Sequence, residues 1–268
     1  MNLFLRRAKP DPLDVAFKKG RELRVRIALC LLSGVMLGFS FPPSSLGVLA
    51  CFGLVPLLIV LADIDEIGLS LRYSYVALFV FHLITLNWTG GYSHGKDGYM
   101  MIAGAVTMIV HPLFYFIPLF AYLFVRKHFG HRVSLIAFPF LWVGYEYTHS
   151  LSEWSFPWIT IGNSQSYDIA QMQFISSTGV YGLSLWILVV NVLVFVLYSK
   201  LAQRVWQPLS RTSLSFLVVI LFVFFLPKIQ GMLILSKAPP YADPISEGEN
   251  RVTVGMIQSN IDPWEKWK

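Results

Sequence analysis

Apolar residues run along this chain in blocks too long and too continuous for a soluble core, cut by short charged or Pro-rich interruptions. Ile27 to Ala62 carries no charge over 36 residues. At about 1.5 Å of rise per residue that is too long for one crossing of a ~30 Å hydrocarbon layer and enough for two short ones. Phe41-Pro42-Pro43-Ser44-Ser45 splits the run, because two adjacent prolines remove consecutive donors and force a break. The pattern therefore predicts a hairpin of spans over 25–41 and 46–62, ended by Asp63, Asp65 and Glu66. A third span is predicted over 71–88, closing on Asn87-Trp88-Thr89-Gly90-Gly91-Tyr92. A fourth covers 98–125, with a kink expected from Pro112 and Pro118, and stops at Arg126-Lys127-His128. Further spans follow over 133–150, 180–198 and 213–234. The fold class read from this pattern is an α-helical polytopic membrane protein with about seven transmembrane helices.

Composition agrees. The 268 residues are 55% hydrophobic and 13% charged, and soluble domains carry roughly twice that charge. The formal charge of +6 gathers at loop ends, which points to membrane topology and away from nucleic acid. Residues 1–26 hold eight Lys or Arg against three acids, and no small-residue cleavage site follows, so 1–24 reads as an uncleaved basic tail on the cytoplasmic side. The loops 126–132 and 199–212, with three Lys or Arg each, then share that side, and 149–179, with none, faces outward. Cys30 and Cys51 both lie in apolar runs without CxxC spacing and read as small buried hydrophobes. No cofactor or metal is implied.

Two stretches depart from the apolar pattern. Ser155-Phe156-Pro157-Trp158-Ile159-Thr160-Ile161-Gly162-Asn163-Ser164-Gln165 is too rich in Pro, Gly and polar residues for a membrane helix and too aromatic for a plain aqueous loop. It reads as a chain bending at the water–lipid boundary. Residues 235–250 form a polar, Pro-rich linker, after which Arg251 to Gln258 reads as a buried β-strand. One strand cannot fold alone, so 251–268 looks like the start of a further domain and the chain like the front part of a larger protein.

Candidate chemistry is sparse. A carboxylate such as Glu146 costs on the order of 3 kcal/mol at a bilayer centre and so faces a bundle interior or cavity. It either orients a substrate headgroup or a loop, or sits near the outer interface, paired with His149 or a backbone donor. His82 and His111 read as lone packing histidines on apolar helices; His94 and Lys96 lie in a Gly-rich outer loop, either solvated or near lipid phosphate. Most tryptophans need only the interface to explain them; Trp158, beside Pro157, and Trp267, just past the strand, stand apart. There is no GxSxG elbow, P-loop or HExxH, and no catalytic residue is assigned.

Several stretches together resemble the apolipoprotein N-acyltransferase family of the bacterial inner membrane. They are Gly38-Phe39-Ser40-Phe41-Pro42-Pro43, Leu141-Trp142 with Glu146, Phe156-Pro157-Trp158 with Gly162-Asn163-Ser164-Gln165, and Gln173-Phe174-Ile175-Ser176 leading to Gly179-Val180-Tyr181-Gly182-Leu183-Ser184. Asn191 and Val254-Gly255-Met256-Ile257-Gln258-Ser259-Asn260-Ile261 with Lys266-Trp267 complete the series, over about residues 25 to 268.

The resemblance implies an outward nitrilase-like α/β domain between the seventh span and an eighth, begun here by 251–268. A Glu–Lys–Cys triad there takes an acyl chain from a phospholipid as a Cys thioester and passes it to the α-amine of a diacylglyceryl-cysteine lipoprotein. The family's triad lies beyond the position of Lys266-Trp267, so none of it is among these residues. What the resemblance carries over is a substrate-binding set: Trp267 near the active-site entrance, Phe156, Pro157, Trp158 and Gly162 in the supporting outer loop, and Glu146. Many members have Glu-x-x-Arg where this chain has Glu146-Tyr147-Thr148-His149. The implied partners are a phospholipid donor, a lipoprotein acceptor and the membrane. The alternative is a non-catalytic scaffold, or a split-enzyme subunit that docks a separate soluble domain.

Overall fold

A computed structural model describes residues 12–91 and 97–237. The strand expected over 251–258, together with His94, Lys96 and Trp267, lies outside the described residues. Within them the chain is helical, in ten α-helices and the turns between them. Four helical stretches, Ile67–Thr85, Gly98–Phe129, Ile175–Ala202 and Arg211–Lys237, are long and apolar enough to cross a membrane by length and composition.

Helix α1 (Pro12–Phe39) begins inside the stretch read as a tail and runs through the first expected span. The backbone turns at Ser40–Ser45, where Pro42-Pro43 had predicted a break. The return arm is not one helix. After a 3₁₀ turn at Gly47–Leu49 it divides into α2 (Ala50–Gly53) and α3 (Val55–Ala62). Pro56, which cannot donate, stands at the start of α3. Helix α4 (Ile67–Thr85) follows, then α5 (Gly98–Val110) and α6 (Phe116–Phe129), joined by a 3₁₀ segment His111–Tyr115. The expected kink is therefore at Pro112, while Pro118 sits in the first turn of α6, where its missing N–H costs little. Helix α7 (His131–Ser150) leads to the outer loop, the short α8 (Ile169–Met172), α9 (Ile175–Ala202) and α10 (Arg211–Lys237). Gly179, at φ +66°, interrupts α9 near its start, a conformation that suits glycine.

Small residues set the closest approaches. Gly34 lies against the Ala77 carbonyl and Val80, and Gly38 against Ile84, so the Gly34-x-x-x-Gly38 spacing lets α1 seat on α4. Helix α9 packs on α2, α3, α7 and α10 and forms the central rod.

Side chains hold the divided arm. Asn191 of α9 accepts from the Leu54 N–H at 2.8 Å and donates to the Ala50 carbonyl at 2.8 Å. Its amide is inserted between the two groups that an unbroken helix would have joined directly. The Ser33 hydroxyl donates to the Gly53 carbonyl. Arg126 caps the far end of α3 by donating to the Leu61 and Ala62 carbonyls and pairing with Asp65, while Arg26 pairs with Asp63.

Asn191→Leu is expected to lower the thermal unfolding midpoint in detergent, since losing a buried hydrogen-bond partner costs about 1–3 kcal/mol. An unchanged midpoint would mean that the α2–α3 join closes on itself.

Candidate functional site

The outer loop is built from two short 3₁₀ turns, Pro157–Ile159 and Ile161–Gln165, with Thr160 extended between them. Non-helical backbone at the lipid boundary survives only where other groups satisfy it. Here each strand of the loop has a tether. Glu146, on α7 and 4% exposed, accepts from the Ile161 N–H at 2.9 Å and the Trp142 indole N–H at 3.1 Å, both at Oε1. The Gly162 N–H donates to Ser184 Oγ of α9 at 3.0 Å. Glu146 Oε2 has no hydrogen-bond partner within ordinary range, and the Ser184 hydroxyl lies beside the carboxylate. One carboxylate thus holds one loop amide directly and sits next to the hydroxyl that holds the following one. Gln165 donates to the Gly47 carbonyl at 2.8 Å, tying the loop to the return arm. The Asn163 amide closes the first turn on the Pro157 and Trp158 carbonyls. Gly162 is backed so tightly by the Val180 carbonyl that no Cβ fits.

Sequence-predicted residues fall on different sides of this loop. Glu146 and Gly162 are on its buried side. Glu146 is bound by the loop amide and Trp142, and its hydrogen bonds do not include His149. Trp158 is 63% exposed on the other side, edge-on to Trp88 with centroids 5.9 Å apart. Those two rings, with Phe41, Pro42, Leu86 and Asn163, line a cavity of about 390 Å³. The Phe41-Pro42 corner and the Phe156-Pro157-Trp158 stretch, more than a hundred residues apart in sequence, meet there. Phe156 turns inward against His111, with centroids 5.5 Å apart, and Pro157 is exposed at the start of its turn. Trp267 is outside the described residues.

Behind Phe156 three histidines join in a line. His82 Nδ1 meets the Leu78 carbonyl at 2.7 Å, His82 Nε2 meets His111 Nδ1 at 3.0 Å, and His111 Nε2 meets His149 Nε2 at 3.2 Å. A carbonyl only accepts, so with all three rings neutral the protons are ordered: His82 and His111 carry theirs on Nδ1, and His149 on Nε2. The reading of His82 and His111 as separate packing residues missed this chain. Their sequence separations, 29 and 38 residues, hold no periodic signal that would join them. No group of three or more His, Cys, Asp or Glu suited to a metal ion occurs among the described residues.

The chain matches the family model described as the apolipoprotein N-acyltransferase N-terminal domain over residues 33–193. It is 32% identical over 242 residues to an apolipoprotein N-acyltransferase of Chlorobaculum tepidum, covering 89% of this chain and 42% of that protein. It is 31% identical over 242 residues to one of Geobacter metallireducens, covering 89% of this chain and 44% of that protein. The chain thus spans less than half the length of these curated relatives.

Glu146→Leu is expected to speed hydrogen exchange at the Ile161 and Gly162 amides by roughly tenfold or more, as a buried donor loses its acceptor. Glu146→Gln, which keeps an acceptor oxygen, changes it less. Equal exchange in both variants would show that Glu146 does not hold the loop. In ¹⁵N-histidine spectra near neutral pH, two Nδ1–H tautomers and one Nε2–H tautomer are expected for His82, His111 and His149.

Proposed function

Because the chain belongs to the apolipoprotein N-acyltransferase family, we propose that it is the membrane portion of an enzyme that moves an acyl chain from a phospholipid to the N-terminal amine of diacylglyceryl-cysteine lipoproteins. The observation that carries this reading is the cavity between Trp88, Trp158 and the Phe41-Pro42 corner. It is apolar, of the size ligand pockets have, and sits at the end of the bundle that carries the aromatic loops. An acyl chain rising from the bilayer would meet Trp158 and Trp88 before reaching anything beyond the membrane. Phe156, Pro157 and Gly162 shape the loop that presents Trp158, and Glu146 holds that loop. The thioester-forming triad belongs to a lobe that follows the linker at 235–250, begun by 251–268, with Trp267 at its entrance.

Seven crossings and a cytoplasmic N-terminus in a bacterial inner membrane complete the reading. It is supported by the segregation of side chains: Arg26, Asp63, Asp65 and Arg126 cluster at one end of the bundle, while Trp88, Trp158 and the outer loop gather at the other. Helices α1 and α7 and the divided arm are the added spans. On this reading 1–24 is the cytoplasmic tail and 25–234 the membrane domain.

The test is photo-crosslinking. The chain is placed in nanodiscs containing a phospholipid with a photoreactive acyl chain. Cross-links are expected in peptides around 85–91 and 156–166, and Trp158→Ala should reduce them about tenfold, equivalent to ~1.4 kcal/mol of lost apolar contact. Labelling spread evenly over the lipid-facing helices overturns the cavity assignment. The intact mass of the protein from its own cells tests the lobe. A mass well above 30.4 kDa supports it, and a mass of 30.4 kDa favours a scaffold that docks a separate catalytic subunit.

A further inference from the structure

A second cavity, of about 490 Å³, lies on the opposite side of the same outer turn. Ser164 and Gln165 line it, whereas Asn163 and Ser166 line the one at Trp158, and the two cavities share no residue. Its far wall is α10, a helix with only 17% of its apolar window buried. That helix nevertheless carries a lysine, Lys228, in the middle of an apolar stretch, where a charge is costly unless it has a task.

Lys228 donates to Asp168 Oδ2 at 2.8 Å, and both side chains stay partly exposed at the cavity. Asp168 Oδ1 in turn accepts from the Gln171 N–H. Burial works against ionisation of Asp168, but the Lys228 ammonium and the Gln171 amide outweigh it and hold the carboxyl below the usual carboxylate range. The site therefore presents a fixed positive and a fixed negative charge side by side. An ammonium has three donors, and the pair with Asp168 uses one of them.

Below the pair the cavity is apolar, walled by Trp186, Phe224 and Phe225. Trp186 is fixed in place. Its indole N–H donates at 2.7 Å to the Val223 carbonyl, the group that Pro227, four residues on, cannot serve. The upper end is fixed too, because Gly231 docks α10 directly on the Ala170 carbonyl. Exposed Tyr167, Ile169 and Phe225 frame an opening toward the side of the bundle, where the bilayer lies.

A polar rim bearing both charges above an apolar slot that opens sideways has the polarity profile of one zwitterionic lipid. We propose that this cavity holds a resident glycerophospholipid, its phosphate on Lys228, its cationic headgroup toward Asp168 and an acyl chain along Trp186 and Phe224. This lipid is bound, not consumed. It braces the underside of the 161–165 turn through Ser164 and Gln165, while the cavity across the turn is lined by no charged residue. The proposal relies on the membrane topology above and not on acyl transfer.

Native mass spectrometry of the chain released from detergent, with phosphatidylethanolamine as the probe, tests it. The parent is expected to retain one phosphatidylethanolamine. Lys228→Met should weaken retention about tenfold, Lys228→Arg should keep it, and Val48→Trp, which fills the slot without touching the charges, should also lose it. Diacylglycerol with the same chains, and glycerophosphoethanolamine without them, should both bind at least about tenfold more weakly. Equal retention by parent, Lys228→Met and Val48→Trp, or equal binding of diacylglycerol, overturns the proposal. If Lys228→Met fails to fold, Val48→Trp decides alone. Photo-crosslinking at Trp158 is expected to survive Val48→Trp, so failure here is distinguishable from failure of the acyl-transfer reading.

Discussion

In a hydrocarbon surrounding, every backbone N–H and C=O must find a partner inside the protein, and this one requirement organises the bundle. The helices satisfy themselves; the breaks between them cannot. At several of these breaks a side chain from a different helix fills the vacant position. Asn191 stands between Leu54 and Ala50. Trp186 serves the carbonyl that Pro227 leaves free. Arg126 caps the last carbonyls of α3. Glu146 and Ser184 take the two consecutive amides Ile161 and Gly162, and Gln165 reaches the Gly47 carbonyl. Leaving any one of these buried groups bare costs about as much as a core cavity, which is why so few polar residues are scattered at random in the apolar stretches.

The same accounting explains why α9 is central. Ser184 and Asn191 are seven residues apart, two helical turns, and so share a face. One holds the outer loop and the other the divided return arm. A single rod thereby sets the height of the loop relative to the arm, and Gln165 closes the circuit by joining loop to arm. The Trp158 cavity borders this frame at Asn163 and Ser166. On the loop side its shape is set by the Asn163 bonds to the Pro157 and Trp158 carbonyls and by the tethers of the loop behind them.

Much of this was legible in the sequence, for physical reasons. Pro42-Pro43, Pro112 and the basic stretch at Arg126 and Lys127 mark where helices turn, bend and end, and the turn at Ser40–Ser45, the 3₁₀ segment His111–Tyr115 and the end of α6 at Phe129 fall there, whereas α1 begins well before the first charge-free run. The outer loop announced itself by composition. Other features were hidden. Pro56 was in plain view, yet the 46–62 run read as one span, because nothing local reveals that an asparagine 137 residues from Leu54 supports a break there. Gly34-x-x-x-Gly38 is readable as a packing face, but nothing local names α4 as its partner. The three-histidine line could not be read at all, since each member comes from a different apolar segment. Helix α7 is instructive in the opposite sense. It does not rank among the most apolar helices because polar and charged residues dilute its hydropathy, among them Glu146, which holds the loop, and His149, which ends the histidine line. A strict hydropathy criterion passes over the helix whose polar residues hold the site.

The position of Glu146 follows from what it must hold. A carboxylate can take several donors at once, whereas a glutamine there would bring an amide group with two donors of its own into a pocket whose neighbours, the Ile161 N–H, the Trp142 indole and the Gly162 N–H behind Ser184, are themselves donors. The Ser184 oxygen beside the carboxylate is already engaged by Gly162. A pocket lined by donors selects an acceptor-only side chain, and the donors in turn offset much of the cost of burying it. The buried acid is therefore explained by the loop it holds, on the side of that loop away from the exposed Trp158.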